Sequence, residues 1–227
     1  MGRKATLLGA SGLIGSHLLD LLLADPYYDE VTILVRRNMG RTHPKLTEII
    51  IDFENSQAYE PGIAGAETVF CAIGTTMKKV SGDHDAYRQV DFNIPVTAAK
   101  AAAGLGVFNF VLVSSVGADA ANNNNFYLKL KGVVEETISK ENIPQIHIFR
   151  PSLLIGHRNE KRTGEGFAQM MAPIFSGLMV GKWRVYKPIR AALVAKAMLS
   201  AAKLQNRGIF IHTYDDILKF TKDQYPE

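Results

Sequence analysis

The sequence predicts an α/β fold, in which a doubly wound parallel sheet carries a small C-terminal substrate lid. Two observations support this prediction. Short apolar and β-branched runs alternate with longer segments of helical periodicity. Several apolar runs are nearly continuous, as in strands that are covered by helices on both faces. We expect a single domain over residues 1–227, with a core at 1–150 and an integral lobe at 151–227.

Strands and helices follow one another in a regular order. The strands are predicted at 4–9, 31–36, 47–52, 67–73, 108–114 and 145–150. The first helices are predicted at 13–24, 84–104 and 124–141, and the asparagine run 122–125 is expected to cap the last of these. Later elements are predicted as a helix at 167–178, a short strand near Val185, a helix at 191–203, a strand at 208–212 and a last short helix.

The first strand leads into a glycine-rich turn and a helix. Gly9 permits the tight turn, Gly12 removes a Cβ where a phosphate would approach, and Gly15 lets the helix pack closely on the strand. The N–H groups and positive dipole of the first helical turn then face the phosphates. The turn therefore predicts a site for a dinucleotide pyrophosphate. Its predicted members are Gly9, Ser11, Gly12, Leu13, Ile14 and Gly15.

The end of the second strand distinguishes the two forms of nicotinamide cofactor. Folds that prefer NAD carry an acidic residue about 20 residues beyond the glycines, but Arg36 and Arg37 stand there in this chain. A guanidinium binds a 2′-phosphate in bidentate geometry, whereas a carboxylate repels it. We therefore predict NADP(H) rather than NAD(H), with Arg36 or Arg37 on the phosphate. The alternative is that two surface arginines merely end a strand.

Two further strand ends are predicted to contact the cofactor. Asp52 ends the third predicted strand and is placed to bind the adenine amino group. Gly74 follows the fourth strand and would let the backbone pass close to the cofactor. The predicted contacts after the fourth strand are Ala72, Ile73, Gly74 and Thr75.

A serine pair and a tyrosine–lysine pair follow the fifth strand. Ser114 and Ser115 end that strand, with Ser114 assigned to the cofactor site, while Tyr127 and Lys131 share one face of the next helix. An ammonium beside a phenol lowers the pKa of the phenol from its usual value near 10. Tyr127 would then exchange a proton with a substrate oxygen, Ser115 would bond that oxygen, and Lys131 would also hold the nicotinamide ribose. The alternative is a packed tyrosine and a solvated lysine on an amphipathic helix.

Taken together, these segments resemble the short-chain dehydrogenase/reductases of the atypical, extended-like kind. The chain is particularly similar to the Tat-interacting-protein-like oxidoreductases, whose bacterial members are often labelled nucleoside-diphosphate-sugar epimerases. The matching segments are 9–19, 71–76, 113–119, 127–132, 149–156 and 187–199. The resemblance implies an NAD(P)-binding Rossmann fold and Ser115, Tyr127 and Lys131 as the catalytic set. It also implies that backbone around Pro151 and Leu153 meets the nicotinamide carboxamide, and Arg36 matches the family's preference for NADP(H).

The chain departs from the extended members in the size of its lobe and from the shorter-chain reductases in a helix residue. In the extended members the lobe for a nucleotide sugar is larger than the segment after Pro151, so a smaller substrate is expected. No clear counterpart exists for the helix asparagine that shorter-chain reductases use in proton relay.

Basic residues predominate in 150–190, which would attract an anionic substrate or form a solvated face. His157, Arg158 and Arg162 are candidates for the substrate pocket, with an exposed loop as the alternative.

Composition excludes several other classes of protein. The net charge is +4 and no apolar run is long enough to span a membrane. The basic residues lack interleaved aromatics, so we expect no nucleic-acid binding, and no metal site is predicted. The one cysteine, Cys71, lies in an apolar run, is expected to be a small buried hydrophobe, and suits a reducing cytoplasm. The N-terminus resembles signal-peptide and myristoylation patterns. Cleavage of a signal peptide would remove the first strand and the glycine turn, and a myristoyl group would lie just before a strand expected in the middle of the sheet, so we expect neither.

Three functions follow from these patterns. The leading hypothesis is an NADP-dependent oxidoreductase that transfers hydride to or from a small carbonyl or alcohol, with Tyr127 as general acid/base. The second is an NADP(H)-binding regulatory or partner-binding protein with little catalysis. The third is a nucleotide-sugar epimerase or dehydratase, for which the basic segment is the only support. The sequence leaves the substrate and the oligomeric state open.

Overall fold

The computed structural model describes residues 2–156 and 181–222. Within these residues the strands are β1 (Lys4–Leu8), β2 (Glu30–Val35), β3 (Leu46–Ile50), β4 (Thr68–Cys71), β5 (Asn109–Val113), β6 (Gln145–Phe149), β7 (Leu154–Ile155), β8 (Ile189–Arg190) and β9 (Gly208–His212). The main sheet has the order β3-β2-β1-β4-β5-β6-β9, and every neighbouring pair in it is parallel. The short strands β7 and β8 pair separately.

Helices connect these strands. They are α1 (Leu13–Ala24), α2 (Glu60–Ile63), α3 (His84–Arg88), α4 (Ile94–Gly104), α5 (Phe126–Ile138), α6 (Ala191–Ala202) and α7 (Tyr214–Lys222). A π turn at Gln89–Asn93 joins α3 to α4. Short 3-10 helices occupy Ser56–Tyr59 and Gly181–Tyr186.

Both faces of the sheet are covered by helices, which confirms the predicted doubly wound fold. Helices α1, α6 and α7 pack on one face and α2, α4 and α5 on the other. Successive strand residues point to opposite faces, so Leu7 joins the first apolar cluster and Leu8 the second. This two-sided burial explains why the strand sequences are nearly continuous apolar runs.

The predicted strands and helices match the structure to within a few residues, apart from a helical segment at 56–63 that was not predicted, the π turn within 84–104 and differences near the C-terminal end. The strand expected near Val185 is wrong: that residue lies in a 3-10 helix, and the short strand begins at Ile189. The predicted helix at 84–104 contains the π turn, and the helix predicted at 167–178 lies outside the described residues. Asn125 caps α5 as predicted, because its side chain accepts a hydrogen bond from the Leu128 N–H.

The segment after residue 188 is built into the main fold. Strand β9 extends the sheet beside β6, and α6 packs against α1 within the same apolar cluster. A separate substrate lid and the division into core and lobe stay predictions. No helix within the described ranges is long and apolar enough to cross a membrane.

Candidate cofactor and catalytic site

The parallel sheet brings its carboxyl strand ends together at one edge, with a crevice beside β1. Strand β2 lies on one side of β1 and β4 on the other. The helix that follows β1 packs on the opposite face from α4, which follows β4. Such a change of direction opens a crevice above the strand ends, where nucleotide ligands bind in open α/β sheets.

The glycine turn after β1 permits very close backbone contacts. Gly9 has a φ of 89°, and a Cβ there would lie 2.6 Å from the carbonyl carbon and oxygen of Ala72. A Cβ on Gly15 would lie 2.0 Å from the carbonyl oxygen of Gly9. The Gly12 N–H donates to the same oxygen at 2.9 Å. The turn is therefore closed by backbone atoms that leave no room for side chains at Gly9 and Gly15.

The start of α1 fits a phosphate. Gly12 is the N-cap, no side chain caps the helix, and its first turn holds no acidic residue. Uncapped N–H groups at a helix N-terminus bind anions, and an acid there would oppose them. The chain after β7 also approaches this helix start, since a Cβ on Gly156 would lie 2.8 Å from Leu13 Cδ1. The residues present thus suit the pyrophosphate of a dinucleotide.

The predicted ribose and adenine residues lie at the ends of β2 and β3. Arg36 and Arg37 follow β2 directly and are both exposed. Asp52 lies two residues beyond the end of β3 and is exposed; its side chain accepts a hydrogen bond from the Glu54 N–H at 2.9 Å. These positions are compatible with the predicted contacts, which stay predictions.

Ser114 and Ser115 are buried beyond β5 and have different partners. The Ser115 hydroxyl donates to the Val116 carbonyl at 3.3 Å. The Ser114 hydroxyl instead donates to Glu135 on α5. Arg150 holds the same carboxylate in bidentate geometry, with its Nε 3.0 Å from Oε1 and 3.1 Å from Oε2. The Ser114 hydroxyl therefore links the end of β5 to α5, and its predicted contact with the cofactor stays a prediction.

Tyr127 and Lys131 lie on α5, but their environments differ. The Tyr127 ring is half-buried and meets the ring of Tyr87 edge to face, with centroids 6.4 Å apart. Lys131 is only 5% exposed. Its Nζ lies 2.9 Å from Oδ1 of Asp91, whose Oδ2 accepts the Thr75 N–H at 2.7 Å. The alternative of a solvated lysine is therefore wrong.

The ion pair determines the charge of Lys131. Burial disfavours the ammonium, but the nearby Asp91 carboxylate outweighs burial, so the pKa of Lys131 is raised above its usual value. Burial also raises the pKa of the Cys71 thiol to about 11, so this residue stays neutral at pH 7. Cys71 is fully buried, as expected of a small core hydrophobe.

The nicotinamide side of the predicted site adjoins Ser115. The Pro151 carbonyl accepts the Val116 N–H at 3.0 Å, and the Leu153 carbonyl accepts the Ile189 N–H at 2.9 Å. The structure thus places the segment 151–153 next to the serine pair. The candidate substrate residues His157, Arg158 and Arg162 lie outside the described residues.

Sequence reasoning missed Asp91, Glu135 and Arg150. Glu135 had an available signal, because it follows Lys131 by four residues on the same helical face. Asp91 had none, because its inward position depends on the π turn and on the packing of α5. Arg150 directly follows β6, and the sequence showed it only as part of a basic segment.

The sheet order, the crevice and the glycine turn define a Rossmann-type nucleotide-binding protein. A family profile described as NAD(P)H-binding matches residues 9–166. Protein HTATIP2 of Rattus norvegicus is 31% identical over 201 residues, which cover 87% of this chain and 80% of that protein. The chain belongs to the NAD(P)H-binding family, and the resemblance to Tat-interacting-protein-like proteins is confirmed.

Other relatives and solved structures extend this comparison. Protein FMP52-1, mitochondrial, of Scheffersomyces stipitis is 32% identical over 208 residues, or 88% of each chain. MoeE5 in complex with UDP-glucose and NAD has a TM-score of 0.66 at 15% identity, over 97% of this chain and 81% of that one. UDP-N-acetylglucosamine 4-epimerase from Methanobrevibacter ruminantium M1 has a TM-score of 0.69 at 17% identity, over 98% and 82%. These structures share the fold.

The fungal relatives correct the expected location. Proteins matching most of this chain in Scheffersomyces stipitis and Aspergillus niger are named as mitochondrial. The expectation of a cytoplasmic protein is therefore wrong. It rested on a single cysteine, which excludes an internal disulfide but does not distinguish one reducing compartment from another.

Proposed function

We propose that this protein is an NADP(H)-dependent oxidoreductase of the short-chain dehydrogenase/reductase type, acting on a small carbonyl or alcohol. The observation that carries the proposal is the buried, charged Lys131 one helical turn beyond the half-buried Tyr127. Both lie on α5, the helix that follows β5 and Ser115, and β5 belongs to the same parallel sheet as the strand before the glycine turn. A nucleotide fold alone would not require a buried lysine at this place.

In this proposal each residue has one task. Ser115 donates a hydrogen bond to the substrate oxygen, and Tyr127 supplies a proton to that oxygen in the reductive direction. Lys131, whose Nζ is paired with Asp91, would hold the nicotinamide ribose. The bound cofactor supplies or accepts the hydride.

The NADP(H) preference rests on Arg36 and Arg37. Both are exposed immediately beyond β2, and no acid occupies either position. Calorimetry should show tighter binding of NADPH than of NADH, and Arg36→Ala with Arg37→Ala should abolish most of the difference, about tenfold or more. Equal affinities of the wild-type protein for both cofactors would contradict the preference.

Turnover tests the catalytic assignment. Purified protein is screened with NADPH against small aldehydes and ketones, including anionic ones, and Tyr127→Phe is the matched variant. We expect Tyr127→Phe to lower kcat about 100-fold to 10,000-fold while NADPH affinity is kept. Equal turnover by both proteins would refute the role of Tyr127. Tight binding without turnover of any substrate would favour a regulatory, cofactor-binding function.

A further inference from the structure

Asp91 joins three parts of the candidate site. It is only 1% exposed, and it lies in the π turn between α3 and α4. One carboxylate oxygen pairs with Lys131 on α5, and the other accepts the Thr75 N–H from the loop after β4. A Cβ on Gly74 would lie 3.6 Å from Oδ1, so the loop passes directly over this carboxylate.

The π turn accounts for the inward position of Asp91. Tyr87 before it and Ile94 after it are both buried, so the helical segment presents an apolar side to the core. A π turn accommodates one extra residue, and such turns are frequent at functional sites. In this chain the turn places a carboxylate among buried residues, where only a cation and hydrogen-bond donors make an anion tolerable.

We propose that Asp91 is a positioning residue that holds Lys131 and the loop Gly74–Thr75 in one fixed arrangement. This proposal rests on the proposed oxidoreductase function of the same site. Lys131 has three N–H donors, and Asp91 takes one of them. The remaining donors can then serve the ribose and the Tyr127 side of the site without rotation of the lysine.

The charge of Lys131 also depends on this contact. Among the residues that the structure describes, the titratable groups that face Lys131 are Asp91 from the π turn, Tyr127 from α5 and Cys71 from β4. Cys71 stays neutral because burial raises its pKa to about 11. Without the Asp91 charge, burial would dominate, and the pKa of Lys131 would fall below its usual value of about 10.5.

The direct test is the titration of Lys131 in the cofactor-free protein. The Cε resonance is followed by NMR with carbon-13-labelled lysine and assigned with Lys131→Met. In the wild-type protein and in the matched control Asp85→Asn, which changes an exposed aspartate on α3, Lys131 should stay charged up to the alkaline limit of folding. In Asp91→Asn the ammonium should be lost at least about one pH unit earlier. An unchanged titration in folded Asp91→Asn would overturn the proposal.

Two further measurements distinguish a failure of the Asp91 proposal from a failure of the proposed oxidoreductase function. Asp91→Asn/Lys131→Met should have a higher Tm than Asp91→Asn alone, because the second change removes the unpaired buried charge. Additive Tm losses would overturn the pairing even if Asp91→Asn unfolds too readily for NMR. In turnover assays Asp91→Asn should lose kcat mainly at alkaline pH. If no substrate turns over in any variant, the proposed function fails, while the NMR titration still decides the role of Asp91.

Discussion

The glycine turn and the α5 site are two halves of one candidate site. The first half consists of backbone atoms and the second of side chains. The glycine turn, residues 9–15, works through backbone N–H groups and the absence of side chains. The α5 site, which comprises Lys131, Asp91 and the Ser114–Glu135–Arg150 network, works through buried charged side chains from separate segments. The glycine turn depends mainly on residues close in sequence, with the Ala72 backbone as a distant neighbour, whereas the buried charges depend on partners from distant segments. Substitutions in the two halves should therefore have different effects on stability and on cofactor binding.

Gly15→Ala should break the backbone half and have the largest effect. Its Cβ would lie 2.0 Å from the Gly9 carbonyl oxygen, so α1 must move away from the turn. We expect a loss of about 3 kcal/mol or more in unfolding free energy and a weakening of NADPH binding of about 100-fold. Urea unfolding and calorimetry measure these losses.

Gly104→Ala is the matched control for Gly15→Ala. Gly104 ends α4, and a Cβ there would meet nothing within 4 Å. This variant should be neutral or more stable by roughly 0.5–1 kcal/mol, because alanine restricts the unfolded chain. If Gly15→Ala behaved like its control, the close packing of α1 on the turn would be refuted.

The same difference explains what the sequence could predict. The glycine turn was identified because Gly9, Gly12 and Gly15 lie between a readable strand and a readable helix. Tyr127 and Lys131 could be predicted as a pair because helical periodicity places them on one face. Asp91 was missed because no local pattern shows that the π turn points it at Lys131. The strand near Val185 was misplaced because its pairing partner, β7, lies far earlier in the chain.

Glu135→Gln should weaken the α5 site and spare the glycine turn. The variant leaves Arg150 without its carboxylate partner, and because the Arg150 side chain is 26% exposed the expected loss is about 2–3 kcal/mol. NADPH affinity of the folded protein should stay within about twofold, because no atom of the turn is touched. The exposed neighbour Glu136→Gln is the control for urea unfolding. A Glu136→Gln loss of equal size would contradict the importance of the network.

The histidine pair between β6 and β9 tests a region that belongs to neither half. His147 Nδ1 lies 2.8 Å from His212 Nε2, and His147 Nε2 lies 2.8 Å from Gln145 Nε2. Burial, with a smaller contribution from His212, lowers the pKa of His147 to about 4. Burial also lowers the pKa of His212, although Asp216 opposes this shift.

Acid should therefore destabilise the fold through this pair. Between pH 6.5 and pH 4 the unfolded chain binds a proton at His147 that the folded chain does not, so unfolding free energy falls as pH falls. The expected loss is about 2–3 kcal/mol across this window. Urea unfolding at several pH values should show a flatter dependence for His147→Gln. An equal slope in both proteins would show that His147 is not the group responsible.

Asn125→Ala should have the smallest effect of these variants. It tests whether Tyr127 can be disturbed while Lys131 stays in place. The Asn125 side chain accepts the Leu128 N–H at 3.0 Å, and loss of this cap costs about 1 kcal/mol. Fraying would reach Tyr127 in the first turn of α5 but not Lys131, which Asp91 holds from another segment. We therefore expect a lower kcat with unchanged NADPH affinity, and recovery in Asn125→Asp, which accepts the same bond. Asn124→Ala, an exposed neighbour, is the control. If Asn125→Ala lowered NADPH affinity as strongly as kcat, the glycine turn and the start of α5 would be coupled, and the division between the two halves would be refuted.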